Sequence, residues 1–164
     1  MKKIYIFFAI AAMAIAACQQ TPKVVPVDIQ AEEAALNGLM DKFDEAIKSG
    51  NDSIVRVSIS EDALICGTDP SEFWNKQQFL GPEEQDSTAA STEIEYISDR
   101  VTKVASDGNS AIVVTQLIFT WSPKLPLRVV YHFVKTNDTW IVEFINVAFI
   151  AKNEDINKLN EAIE

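Results

Sequence analysis

The sequence predicts an α+β domain with helices packed on one face of an antiparallel sheet. Two observations carry this. Apolar residues recur at helical spacing over the first part of the domain, and from about Thr92 they alternate with period two between turn residues. Helices first and a strand meander afterwards is the order of an α+β architecture.

The first 17 residues stand apart. Met-Lys-Lys is followed by an uncharged apolar run from Ile4 to Ala17, too short for a spanning helix, which needs roughly 20 apolar residues. The run ends Ile15-Ala16-Ala17-Cys18. It resembles the cleavage box of bacterial lipoproteins. That resemblance implies cleavage after Ala17 and palmitate-type acylation of Cys18, with anchoring in a cell-envelope membrane. Residues 18–27 then form the lipidated cysteine and a proline-broken tether. Gln19, rather than Asp, is similar to lipoproteins sorted to an outer membrane, facing the periplasm.

Residues 28–164 read as one domain. Asp28 is placed to cap a helix over 29–48, with Ile29, Leu36, Leu39, Met40, Phe43 and Ile47 on one face. Ser49-Gly50 ends it. Asn51-Asp52 opens a shorter helix with Ile54, Val55 and Val57. Ala63–Cys66 reads as a short strand and Gly67-Thr68-Asp69-Pro70 as a turn. Ser71 is expected to cap a third helix holding Phe73, Trp74 and Phe79, closed by Gly81-Pro82. Residues 83–91 read as an acidic loop. Strands follow over 92–106, 110–121, 127–135 and 139–151. Asp107-Gly108-Asn109 and Thr136-Asn137-Asp138 are hairpin turns. A short amphipathic helix over 153–163 ends the chain.

Composition excludes several functions. Without the signal the chain has about 147 residues and a net charge near −12, because Lys2 and Lys3 leave with it. Such a surface argues against nucleic-acid binding by phosphate neutralisation. The lipid must therefore supply the membrane attachment. Cys66 is the one thiol left once Cys18 is acylated, and it lies in an apolar strand as a small buried residue. His132 is the sole histidine. A zinc cluster or a Ser-His-Asp triad finds few residues to use, and no metal or cofactor is called for.

Three stretches together resemble the SnoaL-like branch of the nuclear-transport-factor-2-like superfamily, over roughly residues 29–151. They are Asp62-Ala-Leu-Ile-Cys-Gly-Thr-Asp-Pro-Ser-Glu-Phe-Trp74, then Arg128 twelve residues before Trp140, then the hairpin Lys135-Thr-Asn-Asp-Thr-Trp140-Ile-Val. The resemblance implies a cone, the cystatin-like roll. In it a strongly curved antiparallel sheet wraps around N-terminal helices and leaves a pocket for a small apolar ligand. It also implies a class that mixes isomerases, cyclases and dehydratases with non-catalytic binding and oligomerisation modules. Many relatives carry His six residues and Ser eight residues after the hairpin Trp. Here those positions are Asn146 and Ala148.

Alternation places Trp140, Val142, Phe144, Asn146 and Ala148 on one face of the last strand, and Ile141, Glu143, Ile145, Val147 and Phe149 on the other. Both faces are apolar, which favours a homodimer through the outer one. Arg128 either reaches into the cone mouth to bind a carboxylate or pairs with Asp69 or Glu72. Asn146 and Tyr131 are further polar pocket groups, and Trp74 either stacks on a ligand or fills core. Asp69 and His132 are the candidate bases for an isomerase- or cyclase-type reaction; their alternatives are a turn cap and a strand-surface residue. The expected function is non-catalytic binding of a small apolar or carboxylate-bearing molecule. A dimerisation module with a vestigial pocket comes next, and an enzyme last.

Overall fold

The computed structural model describes residues 26–82 and 93–163. The signal, Cys18, the first part of the tether and the acidic loop lie outside the described residues.

Helix α1 (Ile29–Ser49) starts where Asp28 Oδ1 accepts the Ala31 N–H at 3.1 Å and stops where Gly50 turns left-handed at φ 69°. Its buried stripe is Leu36, Met40, Phe43 and Ala46, at spacings of three and four. Helix α2 (Ser53–Ser58) runs directly into β1 (Ile59–Cys66), which is longer than the four residues the sequence marked. The expected third helix is shorter and later. Phe73–Trp74 pair with β1 as β2, and α3 (Lys76–Leu80) is capped by Asn75 in a reciprocal box with Gln78. Ser71 instead hydrogen-bonds the Asp69 carboxylate.

The remaining strands are β3 (Ile94–Tyr96), β4 (Val101–Val104), β5 (Ser110–Phe119), β6 (Leu127–Thr136) and β7 (Thr139–Phe149). A 3-10 turn and α4 (Ile156–Ala162) end the chain and bury no residue. The sheet order is β2-β1-β7-β6-β5-β3, with β4 pairing another part of β5. All pairs are antiparallel except β1 with β7. The β6–β7 hairpin turns in two residues, Asn137 and Asp138, both at positive φ, as its right-handed twist requires.

One face of the sheet closes on α1. Phe133, Val113, Val142, Ile65 and Leu127 are fully buried in one cluster with Leu36, Met40 and Phe43. Polar groups on the flanks of α1 fix its angle. Glu32 accepts from Lys135 Nζ and, at 3.1 Å, from Trp140 Nε1. Those bonds hold the Glu32 carboxyl below its ordinary value against the cost of desolvation. Asn37 accepts from Thr102 Oγ1 at 2.6 Å, while Arg100 spans Asp41 and Asp44 at 2.8 Å each.

Leu36 has no exposed surface and sits where helix and sheet meet. Leu36→Ala is expected to cost about 2–5 kcal/mol of unfolding free energy, measurable by urea denaturation. A loss well under 1 kcal/mol would place this helix outside the core.

Candidate ligand pocket

Beyond Phe43 the helix and the sheet diverge, and a cavity of about 380 Å³ opens between them. Its helical wall is Phe43, Ala46, Ile47 and Gly50, and its sheet wall is Phe119, Val129, Tyr131, Ile145 and Val147. Val55, Phe79 and Leu80 cover a third side. Arg56 holds that cover in place. Its guanidinium donates to the carbonyls of Leu80 and Gly81 and pairs with Asp52 at 2.8 Å. Among the described residues the cavity is thus a largely apolar chamber whose polar lining side chains are Asp52 and Tyr131.

Tyr131 sits beside a buried polar cluster. The Tyr96 hydroxyl donates to Asp44, and Asp44 accepts from Arg100 at 2.8 Å. Arg100 also donates to Asp41 and to the Asn37 carbonyl. Burial, then the Asp44 charge, pushes the Tyr131 phenol well above its ordinary range; burial and its bond to Asp44 do the same for Tyr96. Both phenols stay protonated at physiological pH.

The structure separates the residues that the sequence grouped. Tyr131 lines the cavity. Arg128 is exposed on the outer face, opposite Gln116 and Ala148, and makes no ion pair with Asp69 or Glu72 among the described residues. Asn146 is also outside, opposite Val130 and Cys66. The reason is a bulge. The pairing of β6 with β7 shifts by one residue at Glu143, so that Phe133 faces Val142 but His132 faces Phe144. Strict alternation fails there. Trp140 and Val142 share the inner face with Ile145 and Val147, while Phe144, Asn146 and Ala148 turn outward.

Trp74 is half-buried, packed on the core and 6.1 Å from Phe79, one residue removed from the cavity. A Cβ at Gly67 would lie 2.7 Å from the Trp74 ring and press on the Glu72 side chain, so a larger residue there would have to displace both. Asp69 is exposed and bound to the Ser71 N–H and hydroxyl, which lowers its pKa. It caps the turn and does not line the cavity. His132 lies on the outer face, between Ile112 and Phe144, where it borders a shallow open groove with Ile29 and Lys103. Cys66 is half-buried on the outer face, not within the core. Sequence reasoning missed Phe79 and Phe119 as pocket walls and the Arg100 cluster altogether. Arg100 stands in an irregular segment between two short strands, with no pattern to mark it.

The outer face is itself apolar. Leu64, Phe73, Ile112 and Val101 are between 46% and 63% exposed there, beside half-buried Val114, Val130 and Phe144.

A helix seated in a curved sheet, with a cavity at its C-terminal end, can be compared with known proteins. The model of the SnoaL-like domain family matches residues 36–150. The chain belongs to this family. Solved structures agree on the fold of the SnoaL-like domain. An NTF2-like protein of unknown function from Shewanella baltica has a TM-score of 0.56 at 14% identity, over 77% of this chain and 99% of that one. A domain of unknown function with a cystatin-like fold from Nostoc punctiforme reaches 0.61 at 14%, over 80% and 85%. A putative Ca/calmodulin-dependent kinase II association domain from Exiguobacterium sibiricum reaches 0.57 at 14%, over 79% and 99%. At these identities the likeness is one of fold. No curated protein matches the chain.

Proposed function

We propose that this SnoaL-like domain binds a small apolar molecule in the cone cavity without acting on it chemically, while Cys18 holds the chain at an envelope membrane. The observation that carries the binding is the cavity: about 380 Å³, walled by apolar side chains from α1, α2, α3 and the three strands β5, β6 and β7. That size and lining suit a small apolar ligand. A reaction of the isomerase type needs a free base inside the chamber; neither Asp69 nor His132 lines it, and the carboxylate that does, Asp52, is paired with Arg56. The carboxylate-bearing ligand rested on Arg128, which faces away. Thermal-shift screening of the purified protein against neutral apolar metabolites is expected to give stabilising hits. Val147→Trp, which fills the chamber, should abolish them. Absence of any hit with the unsubstituted protein would defeat the binding reading.

A second reading is a homodimer through the outer sheet face, favoured by the exposed Leu64, Phe73, Ile112 and Val101. Sedimentation at rising protein concentration should then show a dimer, and Ile112→Lys should disperse it. A strict monomer rules it out.

The lipid anchor rests on the order of charged start, apolar run and Ala16-Ala17-Cys18. Several acyl chains at about 0.8 kcal/mol per methylene anchor stably, and the acidic chain offers no electrostatic substitute. In a bacterial host, Cys18→Ala should move the protein out of the membrane fraction. Continued pelleting with membranes would contradict the anchor.

A further inference from the structure

The polar chemistry of the chamber is confined to a few atoms. Of its two polar lining side chains, Asp52 is already paired with Arg56. The Tyr131 hydroxyl makes no hydrogen bond among the described residues. Tyr131 lies in mid-strand and is partly buried, with Phe43 edge-on at 6.4 Å and Phe133 at 6.2 Å against its ring. A phenol placed in this way can give its proton to a ligand that displaces water.

The charges near it set which partner is acceptable. Asp44 and Asp41 together outnumber Arg100, so the cluster beside Tyr131 carries a net negative charge. Arg100 does not line the chamber. Its terminal nitrogens are committed to the two aspartates and the Asn37 carbonyl, although its buried Nε–H is without a partner among the described residues. Arg128 is on the opposite face of the sheet. A carboxylate entering the chamber would lose its hydration, find no free lining cation among the described residues and approach the charge on Asp44. A neutral oxygen would accept the Tyr131 proton and leave the rest of the ligand against apolar walls.

Resting on the binding function proposed above, we infer that the chamber selects a neutral, largely apolar molecule with one hydrogen-bond acceptor, a ketone or ester oxygen seated on the Tyr131 hydroxyl, and discriminates against the carboxylate of the same chain. Specificity here comes from a single donor in an apolar site, where a missing acceptor leaves that donor unpaired.

Calorimetric titration with three probes tests this: a medium-chain methyl ketone, the carboxylate of equal length and an aromatic hydrocarbon without an acceptor. At neutral pH the ketone should bind at least about tenfold more tightly than the carboxylate. Tyr131→Phe should lower the ratio of ketone to hydrocarbon affinity by about tenfold, the worth of one hydrogen bond. A carboxylate that binds as tightly as the ketone overturns the inference, as does a ratio unchanged by the substitution. If Tyr131→Phe does not fold, the ketone-to-carboxylate ratio of the unsubstituted protein decides alone. Failure of ketone and hydrocarbon alike to bind would instead remove the pocket reading, and this inference with it.

Discussion

Everything in this domain depends on one contact, the apolar stripe of α1 seated in the concave face of the sheet. Leu36, Met40 and Phe43 cannot be buried by the helix itself, and an isolated helix of this length would be marginal in water. Nor can the sheet cover Val113, Phe133 and Val142 alone. Each supplies what the other lacks. The polar flank of α1 then sets the angle at which they meet, with Glu32 tied to the β6–β7 hairpin and Asp41 and Asp44 tied to Arg100. Asp44 and Arg100 are the least exposed of these groups, and removing Arg100 leaves Asp44 without its cation, which costs more than the bond itself.

The cavity follows from that geometry. A straight helix cannot stay in contact with a surface that curves away from it. The last turns of α1 leave the sheet, and α2 and α3 roof the gap without filling it. The aromatic rim continues outward. Phe119 lines the chamber and stacks on Trp121 at 5.5 Å, and Trp121 meets Phe149 edge-on. Function is built where close packing stops, and the chemistry there depends on which side chains the sheet happens to aim inward.

That last point marks how far the sequence was legible. Long periodic segments announced themselves. The apolar positions of α1 have the spacing of a helix face, and β5, β6 and β7 alternate between turns formed by Gly108 and by Asn137-Asp138. Their extents held to within a few residues. The neighbours that Tyr131 shares a face with, Val129 and Phe133, were readable because β6 alternates without interruption from Leu127 to Phe133. Those of Asn146 were not, because one extra residue at Glu143 reverses the faces of β7, and nothing in a run of apolar residues signals a bulge. Arg128 failed for a different reason. Alternation grouped it correctly with Val130 and His132, but which of two apolar faces points inward is decided by α1, a long-range contact. Phe73 and Trp74 went to a strand because tertiary pairing with Cys66 and Ile65 outweighed a weak local preference for helix.

The parallel pair of β1 and β7 ties the order of assembly to the order of the chain. Ile59 meets Val142 and Cys66 meets Asn146, so the strand that follows the helices has its partner at the far end of the domain. A hairpin such as β6–β7 closes through a local turn, but this pair closes only after most of the domain has been made. During synthesis β1 emerges early and must wait for its partner strand at the far end of the domain. A chain cut before β7 would therefore lose more than one strand. It would leave β1 detached from β6 and part of the apolar stripe of α1 uncovered, open to whatever holds unfolded chains in solution.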